Sequence, residues 1–184
     1  MLPKDEKSKS ATIGGTFDTL HRGHKEYIRK AFDKATYVFI YITSDDLAQK
    51  QKNYHVRSRE LRIKNLQAFL RGIGIEQDRY ETREINALEQ LKNELANVEV
   101  DISIIAPDYL ELFDGINHKR KEKGKKSISV VIKERTRDAK NGDLSSTAIR
   151  FPYDVFHSLP VETANKIKEG GVKNLHISEL IYVW

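Results

Sequence analysis

Apolar residues along the chain fall into two alternating rhythms, short dense runs and longer stretches with helical spacing. The first run is the poorest: of residues 8–13 only Ala11 and Ile13 are clearly apolar, so the strand they predict leans on the glycines that follow. Across residues 24–34, Tyr27, Ile28, Ala31 and Phe32 recur on one side of a helix, with Lys25, Arg29, Lys30 and Lys34 opposite. Residues 37–42 form a continuous β-branched and aromatic run, the pattern of a strand covered on both faces. Thr43, Ser44, Asp45 and Asp46 then cap a short helix that carries Leu47 and Ala48 toward Lys50 and Lys52. After a loop at 53–56, Arg57, Arg59 and Arg62 begin a helix whose Leu61, Leu66, Phe69 and Leu70 face inward, and Gly72 and Gly74 end it.

The alternation continues. Residues 80–85, 98–106 and 128–132 read as strands, separated by a helix at 87–96 and by another that runs to about residue 123. Pro107 stops the fourth strand and places Asp108 and Tyr109 at its carboxyl end. Such alternation predicts an α/β, Rossmann-like fold: a doubly wound, five-stranded parallel sheet with helices on both faces. Polar residues 133–143 predict a mobile loop, and Ser145, Ser146 and Thr147 offer N-cap hydroxyls to a further helix. Residues 175–184 are too apolar for a free tail and pack on the domain or on a second subunit of a homo-oligomer. The expectation is one domain, 1–184, with its core at about 8–150 and a C-terminal helical extension at 151–184.

Composition narrows the chemistry. The 184 residues contain no cysteine, which excludes disulfides, thiolate metal sites and cysteine nucleophiles and fits a reduced cytoplasm. The first ten residues lack the apolar stretch of a signal peptide, and no run approaches the length of a membrane span, so a soluble, cytoplasmic protein without membrane partners is expected. A net charge of +5 suits an anion-binding enzyme. Lys119, Arg120, Lys121, Lys123, Lys125 and Lys126 concentrate charge at a helix end, where it complements the helix dipole; no aromatic residues interleave with them, so nucleic acid is the less favoured partner.

The candidate chemistry centres on Gly14-Gly15-Thr16-Phe17-Asp18-Thr19-Leu20-His21-Arg22-Gly23-His24, which closes the first strand and opens the first helix. Gly14 and Gly15 let the backbone turn and a ligand approach, and the amides that open the helix present donors and a partial positive charge to a phosphate. His21 and His24, three apart, lie on one helix face about a turn apart, and Gly23 puts no side chain between them. Their protonation state is left open, since the helix N-terminus disfavours a cation and a bound polyphosphate favours one. Lys50 and Lys52 sit at the rim beyond the second strand, where ligands of open α/β sheets bind. Ser145, Ser146 and Thr147 make a second anion site, and two such sites can hold a triphosphate at both ends.

Gly-Gly-Thr-Phe-Asp-x-Leu-His-x-Gly-His resembles the signature of the nucleotidyltransferase superfamily. Together with Ser-Asp-Asp-Leu-Ala-x-Lys-x-Lys leading to Val56, Arg57 and Arg62, and with Leu-Ser-Ser-Thr-Ala-Ile-Arg, it resembles phosphopantetheine adenylyltransferase of the archaeal and eukaryotic type over about residues 8–150. Asn117 and Arg120 resemble the family's helix after the fourth strand, whereas Ala148 stands where many relatives carry arginine. The resemblance implies transfer of AMP from ATP to 4'-phosphopantetheine, giving dephospho-coenzyme A and pyrophosphate in coenzyme A biosynthesis. It implies Thr16, His24 and one of Lys50 and Lys52 as catalytic groups; Gly14, Gly15, Thr16, Phe17, His21, Gly23, His24, Arg120, Ser145, Ser146 and Thr147 around ATP; and Thr16, Lys50, Lys52, Arg57 and Arg62 around the acceptor. Mg²⁺ is expected to arrive on ATP with few protein ligands and no dedicated metal site. The competing expectations are the same transfer to nicotinamide mononucleotide, flavin mononucleotide or glycerol phosphate, and a basic RNA-binding module. A class I aminoacyl-tRNA synthetase fragment is excluded because no Lys-Met-Ser-Lys-Ser loop follows the histidine motif.

Overall fold

The computed structural model describes residues 8–52, 54–137, 144, 146 and 149. Strands β1 (Ser8–Gly15), β2 (Ala35–Thr43), β3 (Tyr80–Ile85), β4 (Ile102–Ile105) and β5 (Ser129–Ile132) form one sheet in the order β3-β2-β1-β4-β5. Every neighbouring pair is parallel. Helices α1 (Arg22–Lys34) and α3 (Arg59–Gly72) cover one face, α4 (Leu88–Leu95) and α5 (Leu110–Glu122) the other, and the short α2 (Asp45–Lys50) follows β2. The expected doubly wound sheet is thus present, and its strand order reverses between β1 and β4, where such sheets open a crevice.

Strand β1, the poorest in apolar residues, is the centre of the sheet. It pairs with β2 from Ser8 to Gly15 and with β4 at Ala11 and Thr12. Its polar residues have partners: the Ser10 amide and hydroxyl donate to Asp101 Oδ2 at 3.0 and 3.2 Å, and Ser103 Oγ donates to the Thr12 carbonyl at 3.4 Å. Two cores form on either side. Ile28, Phe32, Leu66 and Leu70 pack on Ile13, Val38, Ile40 and Ile104, while Leu95, Phe113 and Ile116 pack on Tyr41, Ile85, Ile105 and Ile128. Each such side chain contributes roughly 1.5–3 kcal/mol by leaving water.

The boundaries differ from expectation in instructive places. Strand β4 starts at Ile102 instead of residue 98, because Asp101 turns its carboxylate to Ser10 just ahead of it. Helix α3 starts at Arg59, capped by Ser58, whose hydroxyl accepts from the Leu61 amide at 3.4 Å, so Arg57 lies in the preceding loop. Its inward face is Arg62, Leu66 and Leu70, and Leu61 is 42% exposed where the apolar pattern had placed it inside. The basic end of α5 is answered within the fold: Lys119 pairs with Glu89 at 3.0 Å, Lys125 with Glu99, and Lys123 donates to Asn97 at 2.8 Å. Among the described residues no helix is long and apolar enough to cross a membrane. The expected extension at 151–184 lies outside the described residues, as do Ser145, Thr147 and Ala148.

Candidate active site

At the carboxyl end of β1 the chain reaches Thr16 and then turns through Phe17, whose φ of 51° is left-handed. A side chain in that region is strained, and such strain persists only where surroundings over-determine it. Here Phe17 is wholly buried, its ring against the position a Gly15 Cβ would take at 3.4 Å and 5.4 Å from the His24 ring centre. The turn residue is therefore Phe17 and not the glycines. Gly14 and Gly15 stay in register with Tyr41 and Ile42 and leave the strand tip bare of side chains. Phe17, expected beside the nucleotide, is wholly buried and is absent from the lining of the cleft, lying between Thr16 and Asp18, which do line it.

His21 is the N-cap of α1: its Nδ1 accepts the His24 amide at 3.4 Å. The two imidazole ring centres are 3.9 Å apart, with the ring planes tilted by 31°. His24 Nδ1 lies 2.9 Å from the Thr19 carbonyl, which can only accept, so that nitrogen carries the proton. The neutral rings are thus opposite tautomers, with the outer nitrogen protonated on His21 and bare on His24. Burial, then the neighbouring His24 and Lys133, lower the His21 pKa to about 4. Burial also lowers that of His24, with Lys52 adding to the effect and Thr19 and Asp18 opposing it. Both rings are therefore neutral near pH 7.

These groups open onto a cleft of about 310 Å³ lined by Gly14, Gly15, Thr16, Asp18, His21, Gly23, His24, Lys52 and Ser146, together with Tyr27, Tyr54 and Tyr109. Lys52 is at the cleft because Gln49 gathers its loop, donating to the carbonyls of Lys52 and Tyr54 at 3.3 and 2.9 Å and accepting the Val56 amide at 3.2 Å. Lys50 is exposed on α2 and is absent from the lining. Asp18 is buried and accepts the Arg57 amide at 2.9 Å, while Arg57 Nη1 donates to the Asp18 carbonyl at 2.8 Å.

Two arginines expected at ligands are instead clamps. Arg62, fully buried, donates to the carbonyls of Arg57, Thr16 and Thr43 at 2.8–2.9 Å and pairs with Asp45 at 2.8 Å, which fixes Thr16 from beneath. Arg120, also fully buried, gives its donors to the carbonyls of Leu95, Val98 and Lys126, each at 2.7 Å, and lies away from the cleft. The planar five-donor guanidinium suits such multiple carbonyl capture. Arg57 and Arg62 thus brace Asp18 and Thr16, and Arg120 holds the end of α4.

Tyr109 lines the cleft from the carboxyl end of β4, where the sequence places it, but Tyr27 and the segment after β5 were not expected at the site. The Tyr27 hydroxyl accepts the Gly14 amide at 3.2 Å and donates to the Ile104 carbonyl at 2.7 Å, bridging β1 and β4 where their ladder has ended. Helical spacing had assigned this ring to the core alone. Behind the bridge a second hollow of about 90 Å³ shares Gly14, Gly15, Tyr27 and Tyr109 with the cleft and is otherwise bounded by residues such as Leu47, Leu88, Leu91 and Phe113. Among the described residues no charged side chain lines it. Lys133, Glu134, Arg135 and Thr136, expected as part of a mobile loop, line the polar cleft, with Lys133 and Thr136 tied to Glu26 of α1 and Arg135 paired with Asp108.

A doubly wound sheet with histidines, a threonine and a lysine around the tip of its central strand is the arrangement of a nucleotidyltransferase, and the model of the cytidylyltransferase-like family matches residues 12–151. A phosphopantetheine adenylyltransferase from Methanosarcina mazei is 32% identical over 144 residues, covering 74% of this chain and 87% of the relative. One from Pyrococcus abyssi is 32% identical over 149 residues, covering 78% and 90%. The chain belongs to the phosphopantetheine adenylyltransferases of the cytidylyltransferase-like family. A solved structure from Archaeoglobus fulgidus, described as a protein with unknown function, shares 27% identity at a TM-score of 0.59 and covers 74% of this chain and 99% of its own.

Proposed function

We propose that the protein transfers AMP from MgATP to 4'-phosphopantetheine, releasing pyrophosphate and forming dephospho-coenzyme A, in the cytoplasm. The observation that carries the choice of acceptor is the uncharged hollow on the far side of β1 from the polar cleft. An acceptor phosphate at the strand tip can send a neutral, partly apolar arm into it, and pantetheine is such an arm. Nicotinamide mononucleotide would bring a cationic ring to a wall without a carboxylate, and glycerol phosphate would leave the hollow empty.

The reaction needs no protein nucleophile. An acceptor phosphate oxygen forms a bond to the α-phosphorus of ATP as the bond to the bridging oxygen breaks, and pyrophosphate leaves with that electron pair. Catalysis then consists of holding the partners in line and answering charge on the transferring group. We assign Thr16, His24 and Lys52 to that group and His21 with the α1 amides to the neighbouring phosphates, with Ser146 as the described member of the second anion site. To donate from Nε2, His24 must gain a proton, because its Nδ1–H is committed to Thr19. A polyphosphate nearby favours that uptake. Mg²⁺ comes with the nucleotide as part of the substrate; among the described residues no group of three or more His, Asp or Glu side chains is gathered to hold it. Lys50 is left as surface charge.

Incubation with MgATP and 4'-phosphopantetheine, with the product identified by mass spectrometry, tests the reading. Dephospho-coenzyme A with equimolar pyrophosphate is expected; unchanged phosphopantetheine alongside consumption of another phosphorylated acceptor would overturn it.

A further inference from the structure

The segment leaving β5 is fastened to the first helix by one carboxylate. Glu26 Oε2 accepts Lys133 Nζ at 3.1 Å and the Thr136 hydroxyl at 2.6 Å, and Lys133 Nζ also donates to Thr136 Oγ1 at 2.7 Å and to the Glu134 carbonyl at 2.8 Å. Gly23 admits this contact, since a Cβ there would stand 3.2 Å from Thr136 Oγ1. Arg22 adds a bond from Nη2 to the Arg137 carbonyl at 2.8 Å. Lys133 is only 16% exposed, and what remains open faces the cleft that holds Thr16, the two histidines and Ser146.

A largely buried ammonium is costly unless it is paired, and this one is paired at the edge of an anion site. Only one of its three partners is charged. Exchanging a neutral acceptor, the Glu134 carbonyl or Thr136 hydroxyl, for a phosphate oxygen replaces an ordinary hydrogen bond by a charge-assisted one, and Glu26 keeps the nitrogen in place meanwhile. Resting on the nucleotidyl-transfer reading above, we propose that Lys133 is a phosphate ligand of the bound nucleotide and that Glu26 is the positioning residue that holds it at the cleft. Gly23 then has a second function besides clearing the histidines, which is to let the latch close against α1.

Calorimetric titration with MgATP, which needs no acceptor, separates this proposal from the assignment of phosphopantetheine. Lys133→Ala is expected to weaken MgATP binding about tenfold while the KM for the acceptor stays within about twofold. Glu26→Gln, which keeps the shape and removes the charge, is expected to weaken it several-fold, and the double variant to be no worse than Lys133→Ala alone. If Lys133→Ala does not fold, Lys133→Gln carries the same test with the side-chain stem retained. A folded Lys133 variant that binds MgATP like the native protein overturns the ligand role. Tighter binding by Glu26→Gln, or equal losses in MgATP affinity and acceptor KM, overturns the positioning role. Failure of every acceptor with the native protein, alongside intact MgATP binding, would instead count against the proposed reaction.

Discussion

The two hollows at the tip of β1 share a wall and differ in almost everything else. On one side lie neutral histidines, Lys52, Lys133 and Ser146 around about 310 Å³; on the other, about 90 Å³ is bounded mainly by leucines, isoleucines, tyrosines and a phenylalanine, with no charged side chain among the described residues. The wall between them is the bare tip of Gly14 and Gly15, braced by the Tyr27 hydroxyl. Under the proposed reaction, the difference separates charge handling from acceptor choice. Damage to the polar side should lower turnover, and damage to the apolar side should change which acceptor is used.

The largest expected effect is on the polar side. His24→Ala should lower kcat at least about a hundredfold with the fold intact, because the lost donor acts mainly in the transition state; steady-state rates with circular dichroism as the folding control check this. Next comes the contrast between two lysines: Lys52→Ala should cost about tenfold or more in kcat and Lys50→Ala almost nothing, since only Lys52 lines the cleft. Equal effects of the two would show that the rim, and not the cleft, supplies the charge. On the apolar side, Leu91→Glu should raise the acceptor KM about tenfold and leave the ATP KM near its native value, which initial rates at varied concentrations of each substrate resolve.

The smallest effects are in protons. Because the folded pKa of His21 is lowered to about 4, the unfolded chain binds more protons between that pH and about 6.5. The contribution of this residue to stability is complete above about pH 6.5 and is lost as the pH falls toward 4. Melting temperature should therefore drop on acidification, and His21→Gln should flatten that part of the profile. MgATP binding near pH 7 should take up protons, at most about one on His24, which titrations in buffers of different ionisation heat will measure. Zero uptake would mean that His24 does not donate to the nucleotide.

Much of this was legible from residue order. Strand β3 was recovered at both ends, and the histidine motif, the capped α2 and Tyr109 at the end of β4 fell where spacing put them. What was not legible has physical reasons. Apolar counting ranks β1 last, yet a central strand can carry Ser10 and Thr12 when Asp101 and Ser103 answer their polar groups. The resemblance implies Arg62 and Arg120 as ligand contacts, but residue order does not show that their donors go to carbonyls at loop and helix ends and, for Arg62, also to Asp45. Gly-Gly suggested where the chain turns, but the left-handed residue is Phe17, held there by burial. The Glu26 latch joins residues 107 and 110 positions apart, a pairing no local pattern announces.

The central claim is that a polar cleft and an uncharged hollow together select an acceptor with a phosphate head and a neutral arm. Its most direct test is the ratio of kcat/KM values for 4'-phosphopantetheine and nicotinamide mononucleotide, read from pyrophosphate release with MgATP in excess. The native protein should favour 4'-phosphopantetheine by at least about a hundredfold, the scale on which an unpaired buried charge is rejected, and Leu91→Glu should shrink that ratio. Equal use of the two acceptors by the native protein, or a ratio that Leu91→Glu leaves unchanged, would contradict the account.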